Sequence, residues 1–325
     1  MIDVDDLVHR ADLDGLVRLV DSMCASGDWS ALLDVRNRSR AAVATGRQLW
    51  PVATLAEYRL ALWAPAECLA EVLDEDSGRS TIGPLTEVVA QRHQFDDLRA
   101  ALPDGPRLGF IAHECALRGQ AVPADMPNPL EIPFAMQPWE PWYCLAEYSD
   151  EGLAAPAPPL PGPVDFVPMD AECDVDLVDD PGVTLAVRQL VEPWTTSSNG
   201  RVDVVAVEGS AASAIAALGL DDGRMAPITP AAAMAWLAWA GAEGGAHGRR
   251  RGGAIGRFGA WWTIAALADL NDDWPVEPAE IGEALNSMRW FWWDAVEPHL
   301  GWELQLAVAD PVEGYAWAIS AHDAA

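Results

Sequence analysis

The 325-residue chain contains no lysine, and all 20 of its Lys and Arg residues are arginine. This absence excludes a P-loop, whose lysine binds nucleotide phosphates, and the usual catalytic apparatus of protein kinases. It also excludes enzymes that form a Schiff base on lysine, including those that hold pyridoxal phosphate in that way. The arginine bias resembles that of a high-GC genome, so codon supply is a sufficient reason for it. No motif in the sequence calls for a cofactor, and we expect none.

The chain also has few cysteines, and no two of them have metal-binding spacing. Cys24, Cys68, Cys115, Cys144 and Cys173 are widely scattered, odd in number and without a C-x-x-C pair. They form neither a disulfide framework nor a zinc ribbon. Free thiols and the lack of a signal peptide predict a cytoplasmic protein. No run of 18 uninterrupted apolar residues occurs, so we expect no membrane-spanning helix.

Positive charge is scarce, because 50 acidic residues against 20 arginines give a formal net charge of -30. Nucleic acids are bound through basic patches that displace counterions, and anionic membranes attract basic segments. We therefore expect neither nucleic acid nor a membrane as partner. Solubility or a salty cytoplasm accounts for the acidity. A DNA-mimicking surface is the alternative, and it would require acids spaced like phosphates.

Residues 1–120 show the apolar spacing of consecutive helices. In the first clear helix, Leu13, Leu16, Val17, Val20 and Cys24 recur on one face. A glycine then ends that helix, and an aspartate follows as a natural N-cap for the next. Six helices with short connectors predict an all-helical domain. Both helical hairpins in a HEAT-like stack and a plain bundle fit this pattern.

Residues 121–168 differ in composition and hold 12 of the 25 prolines. Proline excludes a regular helix or a central strand, so we expect an extended, semi-rigid and acidic junction. Trp139, Trp142 and Tyr143 lie within it, and a free linker seldom carries so many aromatic residues. We therefore expect part of this junction to pack against a domain.

Residues 169–325 predict a helix-rich α+β domain with a small, mostly antiparallel sheet. A β-branched strand is expected over 202–207, and alternating residues from Trp302 predict a hairpin with a turn at Asp310–Gly314. Helices are expected over 254–270 and from Pro278 to Val296. The whole chain is then α+β in class, with domains at 1–120 and 169–325 around the junction.

Two tracts of the C-terminal half carry a resemblance. They are HGRRRGGAIGRFGAWW at His247–Trp262 and WTTSSNGRVDV at Trp194–Val204. With them, roughly the last 130 residues resemble uncharacterised proteins of high-GC bacteria that are grouped only as a domain of unknown function. The resemblance implies no activity and carries over no catalytic residue.

Residues 244–259, the Arg/Gly tract, hold the one dense basic cluster of the sequence. Its arginines are Arg249, Arg250, Arg251 and Arg257, set among seven glycines. Arginine forks bind phosphate or carboxylate, and glycines permit close backbone approach, so the tract is a candidate site for a small anionic ligand. The alternative is structural: the arginines pair with the protein's own acids, and the glycines let two helices pack closely. No G-x-G-x-x-G motif follows a strand here, which argues against a dinucleotide fold.

Ser210 is a weak catalytic candidate, because it stands between a predicted strand and a predicted helix, as in a nucleophile elbow. The first glycine of that motif is replaced by Glu208, and His299 or His322 would have to act as base. A helix cap is the alternative role of Ser210.

Metal-ligand patterns are weak throughout the chain. His93 with two following aspartates and the acids of 172–180 are the nearest approaches, and we assign no metal site.

Trp290, Trp292 and Trp293 fall in the predicted helix that ends at Val296. Side chains at these three positions of a helix cannot all point one way, so we expect some to meet different neighbours. Core packing is one outcome, and an interface with another domain or subunit is the other. We assign the three residues as interface candidates.

Two hypotheses of function follow. The favoured one is a non-enzymatic scaffold or interaction protein with a protein partner or self-association, since the sequence shows no recognisable catalytic set. The alternative is an enzyme or sensor for a small anionic ligand at the Arg/Gly tract. It predicts that Arg249, Arg250 and Arg251 converge on one cavity.

Overall fold

The described part of the chain forms two compact units. The computed structural model describes residues 4–74, 82–159, 164–169, 175–220, 223–294 and 301–324. The first unit comprises Met1–Pro129 and Ala146–Ala155, and the second comprises Leu130–Leu145 and Pro156–Ala325. The Pro-rich segment 121–168 thus contributes residues to both units.

The first unit is helical apart from one short hairpin. Its helices are α1 Val4–Arg10, α2 Leu13–Ser26, α3 Trp29–Ala44, α4 Trp50–Trp63, α5 Leu69–Val72, α6 Leu85–Arg92, α7 Phe95–Ala101 and α8 Pro106–Leu117, and its strands are β1 Glu147–Ser149 and β2 Gly152–Ala154.

Local sequence signals account for the helix ends in this unit. Asp12 accepts a hydrogen bond from the Gly15 N–H at the start of α2, and Gly27 ends that helix in the left-handed region at φ 70°. Asp28 caps α3 in the same way by accepting from the Ala31 N–H. These assignments confirm the predicted boundary, because each capping side chain satisfies a backbone donor that the first helical turn leaves unpaired.

The second unit is built on a seven-stranded sheet in which every pair of neighbours is antiparallel. The strand order is β3-β6-β7-β8-β9-β5-β4. The strands are β3 Val167–Pro168, β4 Leu177–Val178, β5 Arg201–Glu208, β6 Arg224–Ile228, β7 Arg289–Asp294, β8 Trp302–Ala309 and β9 Tyr315–Asp323. The predicted C-terminal hairpin is confirmed as β8 and β9.

Helices cover both faces of this sheet. They are α9 Pro181–Leu190, α10 Glu192–Thr196, α11 Ala211–Ala217, α12 Pro230–Ala242, α13 Gly253–Leu267 and α14 Pro278–Ser287. Helix α11 packs on one face, against a core cluster that includes Val207, Trp293 and Ala318. Helices α9 and α12 contact the opposite face, and α13 packs against both of them. The chain is therefore α+β, as the sequence predicts.

The helix predicted from Pro278 to Val296 is wrong in its second half. It ends at Ser287, the backbone of Met288 is extended at φ -80° and ψ 153°, and the aromatic run continues as strand β7. An aromatic run favours a strand, and β7 gains a hydrogen-bonded neighbour on each side, β6 and β8. The predicted helix end at Val296 lies outside the described residues. In the part of the chain that the structure describes, no helix has the length and apolar character needed to cross a membrane.

Candidate functional site

A cleft of about 670 Å³ lies in the second unit and has part of the sheet as its floor. Val178 on β4, Ala206 on β5 and Trp317 on β9 stand opposite one another in the strand register, and all three line the cleft. Tyr315 lies beside Trp317, with the two ring centroids 6.4 Å apart. The floor is therefore apolar and aromatic. We call this site the acidic cleft, for the residues that form its walls.

One wall is the C-terminal end of helix α13. Ala266, Leu267 and Ala268 line the cleft there, followed by Asp269 and Asp272. The last carbonyl groups of a helix carry partial negative charge, which is favourable for a nearby cation. The chain leaves the helix through Asp269, whose φ of 55° is unusual for a non-glycine residue.

The remaining walls are the start of helix α9 and the β8–β9 turn. Asp180 accepts a hydrogen bond from the Val183 N–H at 3.0 Å and another from the indole Nε1–H of Trp317 at 2.8 Å. Asp310 accepts from the N–H groups of Val312 and Glu313 within the turn. These two carboxylates shape the cleft and are already hydrogen-bonded.

The walls are strongly acidic. Among the described residues that line the cleft there is no arginine and no histidine, whereas six carboxylate side chains do line it. Four of the six are exposed and make no ion pair with any described residue: Asp179, Asp269, Asp272 and Glu313. No three described His, Cys, Asp or Glu side chains are grouped so that they could hold a metal ion. Carboxylates spread around an aromatic floor are suited to an organic cation.

The arginines of the Arg/Gly tract lie in separate environments. Arg250 is buried in an ion pair with Glu243, and Arg251 donates to the backbone carbonyls of Gly241, Gln189 and Leu190. Burial lowers the pKa of Arg251. Arg249 is exposed. The predicted anion site stays a prediction, and Arg249 is the arginine of the tract with an exposed side chain.

Arg257 is fully buried and forms a bidentate ion pair with Glu140. Its Nε lies 2.7 Å from Glu140 Oε2 and its Nη2 lies 2.6 Å from Oε1, while Nη1 donates to the Pro133 carbonyl. Tyr143 and Trp261 also donate to Glu140. Burial raises the pKa of Tyr143 well above its ordinary value, and the neighbouring carboxylate raises it further. This network attaches the segment 130–145 to helix α13.

Two glycines of the tract, Gly256 and Gly259, serve close helix packing, the structural alternative for this segment. A Cβ added to Gly256 on α13 would lie 2.1 Å from the carbonyl oxygen of Ala238 on α12. One added to Gly259 would lie 2.7 Å from a methyl carbon of Leu190 on α9. The absence of side chains at these positions lets α13 approach both neighbouring helices.

The three interface candidates lie on strand β7 and not on a helix. Trp290 and Trp293 are 2% and 1% exposed, and they point to opposite faces of the sheet because strand side chains alternate. Trp292 is half-buried between Trp236 and Phe166, with ring centroids 5.3 Å and 5.0 Å away. Trp290 and Trp293 are thus core residues and offer a partner almost no surface.

Ser210 caps helix α11. Its Oγ accepts from the Ser213 N–H at 3.2 Å and shares a hydrogen bond with the Ser213 hydroxyl. His322 pairs with Arg201 at the far end of β5, and strand geometry puts it roughly 25 Å from Ser210. The other candidate base, His299, lies outside the described residues.

Of two titratable side chains in the first unit, His93 is half-buried and Cys115 is fully buried. His93 lines a second cleft of about 440 Å³ together with Glu67 and Asp97. Desolvation lowers the pKa of His93, although a backbone hydrogen bond and nearby carboxylates oppose the shift. Burial raises the pKa of Cys115 to about 12, so this thiol is an unreactive core residue.

Cys173 and the acids Glu172 and Asp174, which belong to the second unit, lie outside the described residues.

Sequence reasoning did not find the acidic cleft. Its carboxylates come from three stretches far apart in the chain, at 179–180, 269–272 and 310–313. Each stretch by itself is a polar turn or linker. The one signal in the sequence is the pair Asp179–Asp180 directly before a helix, and this is also typical of ordinary caps.

Comparison with known proteins assigns the chain to a family. The model of a family of unknown function, DUF6183, matches residues 14–325, and the chain therefore belongs to this family. The resemblance of the two C-terminal tracts pointed to such a family but limited it to about the last 130 residues, whereas the match spans residues from both units. No curated protein and no solved structure matches the chain.

Proposed function

We propose that this member of DUF6183 is a non-enzymatic interaction protein that holds a cationic group of its partner in the acidic cleft. The proposal rests on the described residues that line the acidic cleft. They include six carboxylates and two aromatic rings, and no arginine or histidine. A guanidinium group pairs with carboxylates through its fork of N–H donors and stacks on aromatic rings. A cleft of about 670 Å³ is also in the size range of small-ligand sites.

Binding is favoured over catalysis by the chemistry of the same lining. No described serine, cysteine or histidine lines the cleft, so a serine or cysteine nucleophile paired with a histidine base is absent from that part of the chain. Asp180 and Asp310 are occupied by structural hydrogen bonds. The exposed carboxylates are left to attract and orient a cation.

The proposal includes a reducing cytoplasm as the site of action. Its support is that the four described cysteines, Cys24, Cys68, Cys115 and Cys144, are free thiols. Proteins that act in oxidising compartments more often use such residues in disulfides.

The test is calorimetric titration of the protein with acetyl-arginine-methylamide at low salt. We expect saturable binding to one site. The variant Asp269→Asn, Asp272→Asn, Glu313→Gln should bind about tenfold more weakly, because three exposed charge contacts are each worth about 0.5 kcal/mol. All three side chains are exposed, so the fold should be retained.

A matched variant controls for the general effect of charge. Glu277→Gln, Glu280→Gln, Glu283→Gln removes the same three negative charges from exposed positions that do not line the cleft. It should bind like the native protein. Equal weakening in the two variants would mean that the ligand responds only to net charge. No binding by the native protein would refute the proposal.

A further inference from the structure

We infer that the partner group enters as part of an extended peptide that pairs with the edge of strand β4 facing away from β5 and carries basic residues on both sides of an apolar one. The inference rests on the proposed function and specifies the ligand class of the same cleft. Among the strands that the structure describes, β4 is the last of the sheet and lies next to β5. It also contributes Val178 to the cleft floor, so one segment can meet the edge and the cleft together.

The backbone of β4 has one residue whose polar groups point off the sheet. The Glu208 N–H donates to the Asp176 carbonyl at 3.0 Å, and the register pairs Leu177 with Val207. Hydrogen-bonded and non-hydrogen-bonded pairs alternate along antiparallel strands, so the N–H and C=O of Leu177 face away from β5. No described residue hydrogen-bonds to them, and the residue is 71% exposed. Leu177 therefore offers one donor and one acceptor to an added strand.

The pleat then decides where the side chains of the added strand point. The residue opposite Leu177 lies on the same face as that leucine, and its two neighbours lie on the face of the cleft. One neighbour continues the row of Val178, Ala206 and Trp317, beside the cleft carboxylates. The other continues a second row, formed by Asp176, Glu208 and Tyr315. Both flanking positions therefore favour arginine or lysine.

The central position favours an apolar side chain. Across the edge it meets Leu177, a large apolar residue that is mostly exposed. Cross-strand pairs of apolar side chains stabilise an antiparallel ladder. The motif is thus basic–apolar–basic, with the apolar residue opposite Leu177.

The charge of the β4 edge favours pairing with a segment of another protein over pairing with a second copy of this chain. The β4 segment of a second copy reads Asp176-Leu177-Val178-Asp179. Pairing two such edges would bring aspartates together, and like charges opposite each other destabilise a sheet. A segment with basic flanking residues instead places positive charge near Asp176 and Asp179.

The test compares two peptides of one composition. They are acetyl-Gly-Arg-Val-Arg-Gly-amide and acetyl-Gly-Arg-Arg-Val-Gly-amide, titrated into the intact protein by calorimetry at low salt. The alternating peptide should bind at least about fivefold more tightly, because the other order moves one arginine to the wrong face. Methylating the valine nitrogen of the alternating peptide should weaken binding about fivefold, since one main-chain hydrogen bond is lost.

A protein variant tests the edge from the other side. Leu177→Pro removes an N–H that points away from β5, so the ladder to β5 is retained, and proline is tolerated on such an edge. This variant should bind the alternating peptide about fivefold more weakly than the native protein does, and its affinity for acetyl-arginine-methylamide should be unchanged. Leu177→Ala, which keeps the N–H, should weaken binding of the alternating peptide less than Leu177→Pro does.

The outcomes separate this inference from the proposed function. If acetyl-arginine-methylamide needs the cleft carboxylates but both peptides bind equally, the edge inference is wrong and the cleft proposal stands. If the native protein binds neither the amide nor the peptides, both are wrong. Sedimentation equilibrium that shows a dimer broken by Leu177→Pro would assign the edge to a second copy and overturn the inference.

Discussion

At the scale of single residues, a buried ion pair joins distant parts of the chain within the second unit. The side chains of Arg257 and Glu140 are 0% and 1% exposed and lie 117 positions apart in the sequence. A buried arginine is tolerated because its donors are matched by the carboxylate and by backbone carbonyls. The same pairing explains why a conspicuous arginine of the Arg/Gly tract points inward.

Glu140→Gln should destabilise the protein strongly. The substitution keeps the shape of the side chain but leaves the Arg257 guanidinium without a counter-charge in a buried site. We expect a loss of about 3–5 kcal/mol in the free energy of unfolding, measured by urea denaturation.

Two further variants check this reading of the buried pair. Glu140→Met with Arg257→Met should recover part of the loss, because no buried charge then remains unpaired. Asp294→Asn, which breaks a partly exposed pair with Arg224, should cost far less than Glu140→Gln. Equal losses from the buried and the exposed pair would contradict our account.

At the scale of elements, close contact between helices explains the glycines that accompany those arginines. Helix α13 crosses α12 where Gly256 faces the Ala238 carbonyl, and this contact leaves no room for a methyl group. The sequence shows many glycines in this tract, and the packing of α13 identifies which of them are needed for close approach.

Gly256→Ala should therefore separate the two helices. We expect a loss of about 3 kcal/mol in the free energy of unfolding, since the added Cβ meets backbone and not a movable side chain. Gly105→Ala is the control, because nothing lies within 4 Å of its added Cβ. Chemical denaturation measures both changes, and similar stability of the two variants would contradict the packing argument.

At the scale of the whole molecule, the acidic charge is the dominant feature. The net charge of -30 opposes compaction through self-repulsion. The buried ion pairs are little affected by salt, whereas exposed charges are screened over about 10 Å at 0.1 M.

Raising the salt concentration should stabilise this protein. The midpoint of thermal unfolding is expected to rise between low and moderate NaCl, because screening weakens the repulsion among surface carboxylates. NaCl and KCl at equal ionic strength should act alike. A rise with one cation alone would indicate specific ion binding, and a fall would show that attractive surface pairs outweigh the repulsion.

The sequence by itself determined the class of the fold and many of its elements. The helices around Asp12, Gly27 and Asp28 and the hairpin of β8 and β9 follow from periodicity and capping, which are local interactions. Local chemistry also predicted that Arg/Gly-tract residues could be structural, although it left the ligand alternative open.

The tertiary structure alone decided the rest. Trp290–Trp293 became a strand because β6 and β7 pair, and β6 itself escaped notice because Pro227 interrupts a short segment. That proline is compatible with the strand because β3 covers only the other end of β6. The acidic cleft and the Arg257–Glu140 pair join residues far apart in the chain. No local sequence pattern predicts these long-range contacts. They depend on the path of the whole chain and on the energy of burying charge and apolar surface together.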